Sequence, residues 1–424
     1  MTDIPQIIHA ARLHRDAGRL HFAEPIYVRL VAAAPDDADF AEEAADVALR
    51  RGNFPLAIAQ YRRAIEIDPS RSEARRDLAR ALFNDGRVSE CIEILEGLIS
   101  EMPDDPALKL QMGQALSAAG RLDEAISVLD GIADNSTLAA PLLAAGRFGE
   151  AWPRLAAELP AELPGIPRWQ GDSIGRVAVL CDISAEMTIL FARFLPGVAE
   201  RGATPVVLAV PQLHPILRML PGGLELVAPG GQAREMSAQV NLSDLPALFD
   251  VATPDTVPPP PRIEPEPSLV AVWRNRLAKE DDPRPVVGVD WSVPGCTHHQ
   301  LRALMSVEGL RFVNLCPVPP TDTLSGLAES FRDTMRDPAE LAAMVAALDL
   351  VVSVDTLTAH LAGALGKPLW VLAETGGSWC WAGDETSIWY PTARIVRRAP
   401  GEPWKEVAGT VAGALRRHFQ LGDA

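Results

Sequence analysis

Gly18, Gly52, Gly86 and Gly120 stand 34 residues apart, and Pro35, Pro69 and Pro103 keep the same interval. A period of that length marks a solenoid, in which one helical unit cannot bury its apolar face alone and stacks on the next. Other positions obey the period. Five residues after each glycine stands a small residue: Ala23, Ala57, Cys91, Ala125. Nine after come Tyr27, Tyr61, Leu95 and Leu129, and seven before come Ala11, Ala45, Ala79 and Gly113. The spacing predicts helix pairs. Glycine ends the first helix, small residues let the two helices approach, the bulky residue fills the gap to the next pair, and proline closes the second helix. Ser70 with Glu73 reads as a capping box, and Asp105 before Pro106 as an N-cap followed by proline at the first helical position. Gly146, with Ala151 and Leu155 at the same offsets, follows after only 26 residues and predicts a shortened last pair over 138–159.

This pattern resembles the tetratricopeptide repeat over about residues 5–134. The resemblance implies an all-α solenoid whose concave surface holds a peptide or protein partner. Bracing or dimerising the rest of the chain is the other use of such a stack.

Composition narrows the remainder. Of 424 residues, 48% are hydrophobic and 22% charged, which excludes a disordered or collagen-like chain. A net charge of −17 argues against a broad nucleic-acid-binding face. The most apolar stretch, 341–373, is interrupted by Asp349, Asp355, His360 and Lys367, so no membrane span is expected. The N-terminus lacks the basic start and apolar core of a signal peptide. Cys91, Cys181, Cys296, Cys316 and Cys380 are scattered without a C-x-x-C pair. They read as reduced thiols of a cytoplasmic protein with no zinc framework.

After Pro160 the pattern changes. Residues 161–175 read as a linker. Runs 177–181 and 205–210 read as buried strands flanking a helix over 186–201, with 224–227 and 239–242 as further strands. Residues 254–267 hold seven prolines in fourteen positions, too many for a helix or central strand, and mark a lobe boundary. Strands are predicted again over 286–290, 312–315, 350–354 and 369–372, with a helix over 338–348. Such alternation argues for two parallel-sheet lobes, with a ligand at the carboxyl ends of the strands.

The densest constellation runs through Ser353, Asp355, Thr356, Thr358, His360, Gly363, Gly366 and Lys367. A buried strand leads into Asp355 and Thr356, then a helix carrying His360, then a glycine turn and another strand. Amides at that helix start, with the hydroxyls of Thr356 and Thr358, can hold a phosphate. Asp355 can accept from sugar hydroxyls, and His360 lies four residues on from Thr356, on the same helical side. Taken singly, Asp355 reads as a helix cap and His360 as a core histidine. Strand, acid, hydroxyls, histidine and glycine turn together favour a ligand site.

SVDTLTAHLAGALGKPLWVL, over 353–372, resembles the donor-binding segment of heptosyltransferase-like glycosyltransferases, family 9 and its tetratricopeptide-fused relatives. TGGSWCWAGDETSIWYPTARIVRR downstream and LFARFLPGVAERGATPVVLAVPQLHPILRMLPG upstream are similar to the same fused proteins. The resemblance covers about residues 176–420 and implies a GT-B fold of two Rossmann-like lobes. The layout is then a repeat domain over 1–160, the linker 161–175, an acceptor-side lobe over 176–265 and a donor-binding lobe over 266–424. The family needs no metal, and neither a metal nor a cofactor is expected here. Ser353, Asp355, Thr356 and His360 match the family's segment that contacts the donor sugar and diphosphate. Gly363, Gly366 and Lys367 match its structural turn. The run from Val287 to Asp290, Trp291 and Ser292 matches the first donor-lobe strand. The family's diphosphate-facing lysine or arginine is not evident. His298, His299 and Arg302 are the nearest cationic residues, and a surface loop is the equal reading.

The acceptor lobe departs from the family, whose first strand ends in a G-x-G-D-T loop with a base-like aspartate. Aligned on F-A-R-F-L-P, Met187 stands at the aspartate position, and a methionine cannot accept a proton. Glu186 or Asp182 is the nearest substitute base. The resemblance implies glycosyl transfer from a nucleotide-sugar to an acceptor presented by the repeats, such as the serine or threonine hydroxyl of a surface or flagellar protein. The altered loop keeps a second reading open, a non-catalytic interaction scaffold.

Overall fold

A computed structural model describes residues 4–422, apart from 133–134, 157–162, 173–174, 232–235, 293–299, 317–326, 332–334, 336, 375–376, 384 and 400–401. Contacts divide the chain into two compact units, Met1–Ala133 and Asp134–Ala424.

The first unit is helical: α1 (Ile4–Asp16), α2 (Leu20–Ala33), α3 (Ala38–Arg51), α4 (Phe54–Ile67), α5 (Ser72–Asn84), α6 (Val88–Glu101), α7 (Pro106–Ala118) and α8 (Leu122–Leu129). Gly52 closes α3 in the left-handed conformation, φ 77°, and Gly18, Gly86 and Gly120 share that backbone. The left-handed turn costs a glycine nothing, which explains the period. Ala23, Ala57, Cys91 and Ala125 are buried, and so are Tyr27, Tyr61, Leu95 and Leu129. Asp105 caps α7 by accepting from the amides of Ala107 and Leu108. Ser70 does not cap α5. The N-cap position is Arg71, and the Ser70 hydroxyl donates to Asp68 Oδ1 at 2.6 Å, so a local turn has claimed it. Gly113 has a steric reason. A Cβ there would lie 2.3 Å from Leu129 Cγ, so α7 and α8 approach only because it is absent.

In the second unit, α9 (Asn135–Ala144) and α10 (Phe148–Ala156) come first. The sequence groups this pair with the repeats; in the structure it packs with the sheets. The Trp152 indole donates to the Val251 carbonyl at 2.7 Å, and the Gly149 amide to that of Ala252. Then come β1 (Gly175–Leu180), β2 (Ala203–Leu208), β3 (Glu225–Val227) and β4 (Ala238–Asn241), a parallel sheet in the order β3-β2-β1-β4. The helix predicted over 186–201 is broken into Ala185–Phe191, a 3-10 turn Ala192–Phe194, and Leu195–Glu200. Pro196 lacks the amide a continuous helix would use.

Residues 257–266 hold neither strand nor helix, as their prolines require. The second sheet comprises β5 (Val286–Asp290), β6 (Arg311–Asn314), β7 (Glu329–Ser330), β8 (Leu350–Ser353), β9 (Leu369–Glu374) and β10 (Ala393–Arg398). All its pairings are parallel, in the order β10-β9-β8-β5-β6-β7. Numbered from β5, that is 3-2-1-4-5-6, the doubly wound order of Rossmann-type sheets, with its switch point between β5 and β8. Two-residue β7 and the helix Trp404–His418 are absent from the sequence reading. No described helix is long and apolar enough to cross a membrane.

Gly113→Ala is expected to destabilise the helical unit. Overpacking costs about 1–3 kcal/mol against about 1 kcal/mol gained in helix propensity. A lowered urea midpoint in far-UV circular dichroism of the full chain is the expected result. An unchanged or raised midpoint would show that α7 and α8 can give way.

Candidate functional site

The site is built where the second sheet switches direction. Asp290 ends β5 and Ser353 ends β8, directly opposite one another in the parallel register. Asp290 is buried, so its carboxylate needs donors. It takes the Ser292 hydroxyl at 2.8 Å and the Ser292 amide at 3.2 Å on Oδ1, and the Thr356 hydroxyl at 3.0 Å on Oδ2. Ser353 is buried beneath, donating to the Val354 carbonyl and lying 3.1 Å from Thr356 Oγ1.

Thr356 is the N-cap of the helix Leu357–Ala364, yet no side chain caps that helix. Threonine ordinarily turns its hydroxyl onto the amides of the first turn; here Asp290 holds it. The first-turn amides, carrying the positive end of the helix dipole, are left for another acceptor. Thr358 is buried, so its hydroxyl does not face the opening.

Asp355 stands beside this terminus, 37% exposed at its side chain. The Trp381 indole donates to Oδ1 at 2.7 Å, and His360 Nε2 lies 3.2 Å from the same oxygen. Burial pushes the carboxyl up. A hydrogen bond and charge from His360, with bonds from Trp381 and Ser378, outweigh it and hold the carboxyl below its usual range. His360 is wholly buried, with Nδ1 3.1 Å from the Tyr390 hydroxyl. Both ring nitrogens thus face protein atoms, and this geometry gives His360 the task of holding Asp355. Gly363 makes room for the arrangement, since a Cβ there would lie 2.5 Å from the Tyr390 ring.

Arg193 supports the same loop from the first-sheet side. It is buried, donates to the carbonyls of Leu190, Pro258 and Trp389, and lies over the rings of Trp389 and Tyr390. Burial pushes its pKa down to about 10, so it stays charged at neutral pH.

Asp355, His360 and Cys380 bring one ligand-type atom each within 4.8 Å of one another, a trio able to hold a divalent ion. As folded, those atoms hydrogen-bond to one another or to Trp381, Tyr390 and Ser378.

Of the residues singled out from sequence, Ser292, Ser353, Asp355, Thr356 and His360 converge at this sheet edge. His298 and His299 lie outside the described residues, and Arg302 is exposed at the start of the helix Arg302–Met305. Glu186 is in the first turn of Ala185–Phe191, a helix that packs against the site helix Leu357–Ala364, and no hydrogen bond or ion pair joins its side chain to the site among the described residues. Asp290, Trp381, Tyr390 and Arg193 were not read as site residues. For Asp290 a signal existed: an acid closing the apolar run VVGVD.

Tetratricopeptide repeat models match residues 48–109 and 92–144, and a second such model matches 9–72. Residues 9–144 therefore carry tetratricopeptide repeats, followed by parallel sheets flanked by helices. Protein FlbA of Caulobacter vibrioides is 27% identical over 328 residues, which is 66% of this chain and 54% of FlbA. Two thirds of the chain exceeds the repeats, so the likeness runs into the sheets. Bacteriophage adsorption protein A of Escherichia coli is 36% identical over 63 residues, 15% of this chain and 6% of that protein. The chain thus spans about half of FlbA, 54%, and a small part of the other relative. Among solved structures, MamA from Desulfovibrio magneticus RS-1 is similar at TM-score 0.34 and 12% identity, covering 36% of this chain and 91% of that one. YrrB, a TPR protein with an unusual peptide-binding site, is similar at TM-score 0.31 and 16% identity, covering 35% and 81%.

The Asp355 geometry fixes the sign of a pH effect. A carboxyl held low stabilises the fold above its ordinary pKa, and that contribution is lost as pH falls through the folded value. Trp381→Phe removes one donor while keeping an aromatic ring. The acid-unfolding midpoint is expected to move to higher pH. An acid limb that does not move would show that the indole bond leaves Asp355 unperturbed.

Proposed function

We propose that the chain transfers a glycosyl group from a nucleotide-sugar to a hydroxyl of a protein that its repeats hold. One observation carries the reading: a helix N-terminus at the switch point of a doubly wound sheet whose own N-cap hydroxyl is drawn away by Asp290. Such a terminus suits a diphosphate, and the part-exposed Asp355 beside it suits sugar hydroxyls. Ser292 at the end of β5 is a further contact. The transfer needs no metal: amides, helix dipole and hydroxyls supply the stabilisation of the leaving diphosphate. Tetratricopeptide stacks present extended concave surfaces, which accounts for a solenoid preceding the sheets.

A second reading, an interaction scaffold without turnover, is favoured by one residue. Met187, where the family resemblance calls for a base, cannot take a proton from an acceptor hydroxyl.

Thermal unfolding with UDP, GDP and dTDP tests the donor site. A ligand at about 100 times its Kd stabilises by about 2.7 kcal/mol, a rise of several degrees for a unit of this size. One of the three is expected to raise the midpoint of the wild type and leave Asp355→Ala closer to its unliganded value. No rise with any of them sinks the reading.

A further inference from the structure

Three short pieces of the second unit meet at one point. Asp355 stands between β8 and the helix Leu357–Ala364, His360 lies within that helix, and Cys380 lies in the 3-10 turn Trp379–Trp381. One ligand-type atom of each lies within 4.8 Å of the other two. His360 Nε2 and Asp355 Oδ1 are 3.2 Å apart. That matches the edge, about 3.3 Å, of a tetrahedron whose nitrogen and oxygen ligands stand about 2.0–2.1 Å from zinc. The edge to a thiolate is about 3.6 Å, so the Cys380 sulfur has at most about 1.2 Å to travel. Each of the three also has an outer partner. The Tyr390 hydroxyl meets His360 Nδ1 at 3.1 Å, which leaves Nε2 for an ion. The Trp381 indole donates to Asp355 Oδ1 at 2.7 Å, and the Ser378 hydroxyl lies 2.9 Å from the Cys380 sulfur. Metal-ligating side chains are ordinarily oriented by such partners. His360 and Cys380 are buried, while Asp355 reaches solvent and leaves a way in.

We propose that Asp355, His360 and Cys380 bind one Zn²⁺ ion, with water as the fourth ligand on the exposed Asp355 side. A thiolate and an imidazole select a borderline-soft ion, whereas Mg²⁺ and Ca²⁺ ask for oxygen ligands throughout. Zn²⁺ with one carboxylate and one thiolate is electrically neutral, so the ion can be buried without a stray charge. On binding, the Cys380 sulfur gives its proton to solvent and bonds to the ion. His360 binds through Nε2 and keeps its proton on Nδ1, from which it donates to the Tyr390 hydroxyl. The ion ties the turn Trp379–Trp381 to the start of the helix Leu357–Ala364 and so fixes the loop that carries Trp381 and Tyr390. Cysteine spacing does not announce such a set, because its one cysteine stands 20 residues from the histidine and 25 from the aspartate. The inference goes beyond the transfer reading and does not rest on it.

The test takes the full chain, reduced, stripped with EDTA and free of nucleotide, and titrates it with Co²⁺ and then Zn²⁺. One equivalent of Co²⁺ is expected to give the visible bands of a tetrahedral site and the near-ultraviolet charge-transfer band of a sulfur ligand. Zn²⁺ should abolish both, and Mg²⁺ at the same concentration should displace nothing. Cys380→Ser keeps a hydroxyl against Ser378 and is expected to lose the sulfur band. Tyr390→Phe keeps all three ligands and removes only an outer partner, so its Zn²⁺ affinity should fall about 10–100-fold. Asp355→Asn should weaken binding as well, and far-UV circular dichroism confirms that each variant is folded. If Cys380→Ser does not fold, the affinities of Asp355→Asn and Tyr390→Phe decide. A sulfur band that survives Cys380→Ser puts the ion at another thiol and overturns the site. A wild type that takes up no Co²⁺ overturns it too, as does a Zn²⁺ affinity unchanged in Asp355→Asn or in Tyr390→Phe.

Discussion

The bond from Thr356 to Asp290 decides what the second sheet's edge can do. Parallel pairing sets Asp290 and Ser353 side by side at the ends of β5 and β8. A buried carboxylate there must find donors, and it finds one in the hydroxyl that would otherwise cap the following helix. Capping would use the hydroxyl's oxygen as acceptor and the carboxylate uses its proton, but the side chain takes one orientation, and it turns to Asp290 because an unsatisfied buried carboxylate costs more than a helix-start amide left to another acceptor. The consequence is a helix terminus with spare donors at the one place where the sheet topology opens a crevice.

Asp355 is held in turn by a second layer. His360 and Trp381 both bind its Oδ1, Tyr390 holds His360, and Arg193 lies over the Tyr390 ring from the first-sheet side. Only Asp355 of this layer reaches toward solvent. The chain is strongly acidic overall, at −17. An anionic ligand would therefore have to be attracted locally, by amides and dipole, because the overall field repels it.

The solenoid was the most legible part of the sequence. A 34-residue period repeats the same packing problem, so Gly52, Ala57 and Tyr61 each carry the same message as their counterparts. Four strands of the second sheet, β5, β6, β8 and β9, were also legible, because parallel strands buried on both faces read as apolar runs, whereas the edge strands β7 and β10 were not. Less was legible where geometry depends on partners remote in sequence. For His360 the segment left two readings open, ligand contact and core histidine, since its burial is set by Tyr390 and Trp381 from a loop 20 to 30 residues away. Asp290 looked like the end of a strand, and nothing local announced that it would take the hydroxyl of Thr356, 66 residues on. The capping box at Ser70 failed for the opposite reason, because Asp68, only two residues back, offered a closer acceptor.

The most direct test is a structure of the full chain with the nucleoside diphosphate that stabilises it. A phosphate is expected within hydrogen-bond distance of the Leu357 and Thr358 amides, with the Thr356 hydroxyl still on Asp290. A diphosphate bound away from that helix terminus would contradict it, and so would one that draws the Thr356 hydroxyl back to cap the helix.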